Sequence, residues 1–157
     1  RLVREAGFSV ARRSELPIDA EPRVDVVVLD TLGELAQLYQ IATVVFVGGS
    51  LVDYGGHNIL EPAIFGKPVV FGPHMQNFKE IAETFLSNDA AVRVESERDL
   101  EQALVQLAGD SVRRASLGAA ARALVEANRG AKDKTLAVIA NLLPPVAGVV
   151  RPFRIVH

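Results

Sequence analysis

The sequence predicts an α/β fold, a Rossmann-like open parallel sheet with helices on both faces. Short apolar runs alternate with longer helical patterns along most of the 157 residues, as in parallel strands joined by helical crossovers. The runs at 26–29 and 44–47 are apolar without alternation, which is typical of strands with both faces buried. The crossovers are expected to be right-handed.

The elements follow from these runs in chain order. The opening residues 1–10 are typical of the end of an amphipathic helix, closed by Gly7 and followed by a strand, and we expect a further region of chain before them. The segment 12–23 is polar and contains prolines, so it is predicted to be a loop. Strands are predicted near 8–12, 24–29, 44–47, 68–71 and 91–94, and helices near 33–41, 58–65, 76–87, 97–108, 110–127 and 131–142.

Composition indicates one globular domain and excludes several classes of protein. Residues 1–143 are predicted to form this domain, and residues 144–157 a proline-rich tail. The net charge of −2 offers no basic field for nucleic acid. The absence of cysteine excludes disulfides and thiolate metal sites and favours the cytoplasm. The apolar runs are far shorter than the roughly 20 residues of a membrane helix, so we expect a soluble fragment.

The segment from Phe46 to Pro73 carries the strongest functional signal. An apolar strand leads into one Gly-Gly pair at 48–49, a second follows at 55–56, and a predicted helix then opens with His57, Asn58 and Glu61. Glycines let the backbone approach a ligand, helix amides accept an anion, and a carboxylate can bind ribose hydroxyls. The pattern therefore predicts a site for a phosphorylated ligand.

Three predicted strand-to-helix turns are candidates for this site, since ligands of such sheets bind beyond the carboxyl ends of the strands. In the first turn, Thr31 and Glu34 have the spacing of a capping box, which would be a purely structural role. The second, 48–58, has four glycines in a short stretch and is either a flexible surface loop or, as we favour, functional. The third, 71–77, is equally consistent with a plain turn and with a substrate contact through His74.

Glu61 also has two interpretations. Behind Asn58 it could complete a second capping box, but the glycine-rich loop before it favours a carboxylate that binds ribose. His57 and Glu61 are spaced as two ligands of a metal, yet a third is missing, so we predict no metal and no other cofactor.

Several nucleotide and hydrolase motifs are absent from the sequence. It has no GxGxxG after its first strand, no Lys-Ser or Lys-Thr after a phosphate-binding loop, and no GxSxG elbow. With these motifs excluded, we expect a mononucleotide site that binds a sugar and a phosphate.

A set of motifs in order resembles one known family, the C-terminal domain of the 3-deoxy-D-manno-octulosonic acid (Kdo) transferases. The resemblance covers nearly all of residues 1–142. Its motifs are Asp30 to Leu35, Phe46 to Ser50, Gly55 to Pro62, Gly66 to Val69, Phe71 to His74 and Asn128 to Ala131.

This resemblance implies the donor-binding half of a GT-B glycosyltransferase that moves Kdo from CMP-Kdo to a lipid A precursor in lipopolysaccharide biosynthesis. By motif position, the residues that would contact CMP are Leu32, Gly33, Glu34, Asn58, Ile59, Leu60 and Glu61. Residues that would lie nearer the transferred sugar in the donor cleft are Gly48, Gly49, Ser50, His57 and His74.

The resemblance places the general base, the acceptor site and the membrane contact in an N-terminal half outside this chain. No catalytic residue is therefore assigned here, and this chain alone is expected not to turn over. The full-length protein would act at the cytoplasmic face of the bacterial inner membrane. A UDP-sugar-dependent GT-B domain and a non-catalytic nucleotide-binding module remain as alternatives.

Overall fold

Helices and strands alternate along the computed structural model, which describes residues 1–17, 21–128, 130, 136, 138 and 139. The helices are α1 (Leu2–Glu5), α2 (Leu35–Ile41), α3 (Leu60–Ile64), α4 (Lys79–Ser87), α5 (Glu97–Gly109) and α6 (Ser111–Ala127), with 3-10 turns at Arg13–Glu15 and Gln76–Phe78. The strands are β1 (Val10–Arg12), β2 (Val26–Val28), β3 (Val45–Phe46), β4 (Val69–Phe71) and β5 (Ala91–Arg93).

The strands pair only in parallel within the described residues, which confirms the α/β class. They form two sheets: β1 pairs with β2, and β3, β4 and β5 form a three-stranded sheet with β4 in the centre. The register sets Val10 opposite Val26 in the first sheet, and Val69 opposite both Val45 and Ala91 in the second. The three-stranded sheet positions the candidate site.

The central strand β4 is buried on both faces, as predicted for this class. Its side chains alternate between two core clusters because successive residues of a strand point to opposite faces. Val69 and Phe71 belong to one cluster, whose other members include Ala63 of α3, Phe85 of α4 and Ala121 of α6. Val70 belongs to the other, with Val94, Leu107 and Leu117.

The prediction of two-sided burial is wrong for β2. Val27 and Val28 are 38% and 43% exposed, because β2 pairs with β1 and is not part of the three-stranded sheet. An apolar run therefore did not indicate a buried strand here.

Two serine–aspartate pairs fix the register of β1 against β2. The Ser9 amide and hydroxyl both donate to Asp25 Oδ2, at 2.8 and 2.5 Å. At the other end of the strands, the Ser14 amide and hydroxyl donate to Asp30 at 3.0 and 2.8 Å. Hydrogen bonds from Ser9 and Ser14 lower the pKa of Asp25 and Asp30, respectively.

Several predicted boundaries need correction. The predicted loop 12–23 contains the end of β1 and the 3-10 turn Arg13–Glu15, and the predicted helix 76–87 divides into the 3-10 turn Gln76–Phe78 and α4. Within the predicted helix 131–142, residues 136, 138 and 139 are helical, and the rest of it lies outside the described residues, as does the predicted tail 144–157.

Two later helices begin with side-chain caps. The Ser96 hydroxyl accepts a hydrogen bond from the Asp99 amide at the start of α5, and the Asp110 carboxylate accepts one from the Arg113 amide at the start of α6. Among the described residues, no helix has the length and apolar character needed to cross a membrane.

Candidate functional site

A cleft of about 440 Å³ opens at the carboxyl end of β3, between α2 and α3. This is the edge at which parallel α/β sheets bind ligands. The residues that line it are Leu35, Tyr39, Val45, Phe46, Val47, Gly48, His57, Asn58, Glu61, Pro62 and Phe78.

Four of the predicted site residues meet in this cleft: Gly48, His57, Asn58 and Glu61. The Asn58 side chain accepts a hydrogen bond from the Leu60 amide at 3.0 Å and donates one to Glu61 Oε1 at 3.3 Å. Glu61 is exposed, so its carboxylate remains open to a ligand.

The capping box considered as the alternative role of Asn58 and Glu61 is only half formed. Asn58 does bind a free amide at the start of the helix. Glu61, however, bonds to the side chain of Asn58 and not to its backbone amide. Asn58 therefore joins the start of α3 to the carboxylate of Glu61.

Ile59 and Leu60 are placed differently from their neighbours. The Ile59 side chain is completely buried in the core, so this residue can reach the cleft only through its main chain. Leu60 packs against the same core and lines an adjoining groove of about 460 Å³ that also contacts Tyr39, Asn58 and Glu61.

The predicted contacts Leu32, Gly33 and Glu34 form the turn that precedes α2 and are not among the residues that line the cleft. Leu32 is fully exposed, and Gly33 has a φ of +86°, a value that favours glycine. This turn connects to the cleft through α2, which supplies Leu35 and Tyr39.

The capping box predicted for Thr31 and Glu34 is wrong. The helix begins later, at Leu35, with no side-chain cap. The Glu34 carboxylate instead accepts hydrogen bonds from the side chains of Thr31 and Arg13, the latter at 3.0 Å. These two hydrogen bonds hold the Glu34 carboxylate in one orientation, because both of its oxygens are bound, and so they stabilise the turn.

Ser50, predicted as part of the donor cleft, is completely buried. Its hydroxyl donates to the Val47 carbonyl at 2.5 Å and accepts from the Gly72 amide at 2.8 Å. The Ser50 carbonyl accepts a further bond from the His74 amide at 2.9 Å. Ser50 therefore joins the two loops that follow β3 and β4.

The second glycine pair is packed and not a flexible surface loop. Gly55 and Gly56 are buried, with φ values of +84° and +69°. A Cβ atom at Gly55 would overlap the side chain of Asn77, and one at Gly56 would overlap the side chain of Met75. The positive φ angles favour glycine at both positions, and a larger residue would also displace these two side chains.

His74 is not among the residues that line the cleft. Its Nδ1 atom lies 3.6 Å from Asp53 Oδ1 and 3.3 Å from Gln76 Nε2, and Gln76 also donates to Asp53 at 3.1 Å. Within the described part of the chain, no three His, Cys, Asp or Glu side chains are grouped so that they could hold a metal ion.

Sequence reasoning missed the apolar wall of the cleft, to which Leu35, Tyr39 and Phe78 contribute. Burial, and then the charge of Glu61, raise the pKa of the Tyr39 phenol. The i, i+4 spacing of Leu35 and Tyr39 places them on one face of a helix, and this spacing could have identified the wall.

Comparison with known proteins shows which proteins this chain resembles. No family model matches the chain. It is 40% identical to a 3-deoxy-D-manno-octulosonic acid transferase from Bordetella pertussis and 39% identical to one from Haemophilus influenzae, over 83% and 86% of its length. Its structure is similar to the C-terminal CMP-Kdo binding domain of WaaA from Acinetobacter baumannii, with a TM-score of 0.70 and 30% identity over 79% of this chain.

The chain belongs to the Kdo transferase family. It spans about a third of the length of the two Kdo transferases above, 31% and 32%, and 64% of the solved domain. Because the Bordetella pertussis match covers 83% of the chain, the cleft-forming segment 35–78 lies within it. The cleft is therefore in a region that this chain shares with the Kdo transferases.

Proposed function

We propose that this chain is the donor-binding domain of a GT-B glycosyltransferase that moves Kdo from CMP-Kdo to a lipid A precursor in lipopolysaccharide core biosynthesis. The observation that carries the proposal is the similarity to a solved CMP-Kdo binding domain. The names of the curated relatives support the transferase activity. The cleft at the carboxyl end of β3 supplies a site for the nucleotide.

Glu61 is the residue that we propose to bind the ribose. Its exposed carboxylate lies in the cleft and accepts hydrogen bonds only, which suits the two hydroxyls of a ribose. Asn58 donates to one carboxylate oxygen and so orients the group. The remaining proposed CMP contacts are the turn Leu32, Gly33 and Glu34, and the main chain of Ile59 and Leu60.

The donor sugar is proposed to lie along the glycine-rich loop. Gly48 and His57 line the cleft beside Asn58, and Gly49 follows Gly48 in the same loop. Ser50 and His74 do not line the cleft, but the His74 amide donates to the Ser50 carbonyl and so joins the next loop to the glycine-rich loop.

The acceptor and the general base are proposed to be bound by a part of the protein outside this chain, at the cytoplasmic face of the inner membrane. Transfer requires both halves, so the chain alone is expected to bind donor nucleotide without turning it over.

Calorimetric titration of the chain with CMP tests the proposal, with UMP and UDP as competing nucleotides. We expect saturable binding that prefers CMP. Hydrogen bonds to a charged group contribute about 1.5–3 kcal/mol, so Glu61→Ala should weaken CMP binding by about 10- to 150-fold.

Glu97→Ala is the matched control, since it removes an exposed glutamate from the first turn of another helix, α5. It should bind CMP as the wild type does. Preference for UDP would instead assign the chain to a UDP-sugar transferase, and the absence of any nucleotide binding would contradict the proposal.

A further inference from the structure

Tyr39 occupies the wall shared by the cleft and the adjoining groove, since it lines both. It lies on α2, opposite Asn58 and Glu61 at the start of α3. Its ring is partly buried and lies 6.5 Å from the ring of Phe65, centroid to centroid, with the planes tilted by 34°. The ring is therefore held by packing, independently of its hydroxyl.

The hydroxyl of Tyr39 has a different chemistry from the carboxylate across the cleft. Among the described residues, no side chain or main-chain group is hydrogen-bonded to it, whereas Glu61 already accepts a bond from Asn58. The Tyr39 phenol is neutral at physiological pH, because the ordinary pKa of a tyrosine, about 10, lies well above it and burial raises the pKa of Tyr39 further. A phenol can donate a hydrogen bond, and an ionised carboxylate can only accept.

Tyr39, a hydrogen-bond donor, and Glu61, an acceptor, together suit the two adjacent hydroxyls of a ribose. Each ribose hydroxyl can donate one hydrogen bond and accept others. Glu61 can accept from the diol, and Tyr39 can donate to one of its oxygens. A 2′- or 3′-deoxy sugar would leave one of these groups without a partner.

We infer that Tyr39 is a specificity-determining residue, whose hydroxyl bonds to one hydroxyl of the ribose beside Glu61 and so selects ribonucleotides over deoxynucleotides. This inference rests on the proposed function, because it concerns the nucleotide of the same donor site. Phe65 keeps the ring in place, so the effect belongs to the hydroxyl.

The test compares Tyr39→Phe with the wild type in titrations with CMP, 2′-deoxy-CMP and 3′-deoxy-CMP. One neutral hydrogen bond corresponds to a change in affinity of about 2- to 12-fold. Tyr39→Phe should therefore bind CMP more weakly by about that factor. It should also lose the wild type's discrimination against one of the two deoxy analogues.

Tyr54→Phe is the matched control, because Tyr54 is the only other tyrosine of the chain and its side chain is 81% exposed. This variant should bind all three nucleotides as the wild type does. Thermal unfolding of Tyr39→Phe should match the wild type, since the ring is retained.

A second readout does not depend on affinity. In Tyr54→Phe the only tyrosine left is Tyr39, and the chain has no tryptophan, so ultraviolet absorbance reports the ionisation of Tyr39 alone. Adding Glu61→Gln removes the nearby negative charge and should lower the pKa of Tyr39. An unchanged titration would overturn the pairing of Tyr39 with Glu61.

The outcomes separate the inference from the proposed function. If Glu61→Ala loses CMP binding while Tyr39→Phe keeps it, the inference is overturned and the proposed function stands. Equal losses for CMP and both deoxy analogues in Tyr39→Phe would also overturn the inference, because they would indicate a packing role. A wild type that binds no nucleotide would overturn both.

Discussion

Ser50 is a single residue that holds two loops of the site together. Its buried hydroxyl bonds to the Val47 carbonyl and the Gly72 amide. Ser50→Ala would leave both main-chain groups without this partner, and an unsatisfied buried group costs about 1–3 kcal/mol. Since two such groups lose their partner, chemical denaturation should show a loss of unfolding free energy of about 2–6 kcal/mol.

Ser87→Ala is the comparison for this prediction. The Ser87 hydroxyl also donates to a main-chain carbonyl, that of Glu83 at 2.7 Å, but it is exposed at the end of α4. Water can replace that bond, so the change should stay within about 0.5 kcal/mol. Equal effects of the two variants would contradict the role given to Ser50.

The structure brings some of the residues that the sequence predicted for the site into the cleft, and buries the side chains of others. Glu61 was predicted because a carboxylate after a glycine-rich loop favours ribose binding, and Asn58 because of its position in the family motif; both line the cleft. Ser50 and Ile59 were assigned to the same site, but their side chains are buried. Burial at this level depends on contacts with distant residues such as Gly72, which a local pattern cannot specify.

Among the elements, α6 depends on a close approach to the end of α3. A Cβ atom at Gly118 would overlap the carbonyl group of Gly66, which belongs to the main chain and cannot rotate away. Gly118→Ala should therefore lower the unfolding free energy by about 1–3 kcal/mol, the usual cost of overpacking. Urea denaturation measures this change.

Gly109→Ala provides the opposite case on a neighbouring helix. Gly109 is the last residue of α5, and a Cβ atom there would meet nothing within 4 Å. Alanine favours a helix over glycine by up to about 1 kcal/mol, so this variant should be neutral or slightly more stable. If Gly118→Ala were also neutral, the close approach would not limit the packing of α6.

The positions of the strands along the chain were predicted well, but their burial was predicted less well. The five predicted strands each contain an observed strand, and each observed strand contains valine, which favours extended chain. The same pattern could not separate β4, which is buried on both faces, from β2, which is half-exposed. That difference depends on which strands pair, and pairing joins residues far apart in sequence.

At the scale of the whole molecule, one ion pair joins the turn after α4 to α6. Arg113 donates to both carboxylate oxygens of Asp89, at 2.5 and 2.6 Å. These bonds, and then the charge of Arg113, lower the pKa of Asp89 below its ordinary value of 3.8. The stabilisation is therefore complete above that value and is lost as the pH falls through the pKa of the folded state.

Asp89→Asn tests this pH dependence. Asparagine tolerates the φ of +52° at this position, so the variant removes the charge without adding backbone strain. Its unfolding free energy should fall less steeply than that of the wild type as the pH drops below about 4. If the unfolding free energies of the wild type and of Asp89→Asn fell equally steeply at acid pH, this ion pair would have no role in the pH dependence of stability.

The packed glycines of the loop after β3 have a consequence for the thermodynamics of ligand binding. A loop with many glycines usually loses conformational entropy when a ligand orders it. Here Asn77 and Met75 already occupy the space beside Gly55 and Gly56, so the loop is ordered when the protein folds. A nucleotide bound there, as we propose, would meet a preformed surface, and its affinity would not be reduced by the cost of arranging the loop.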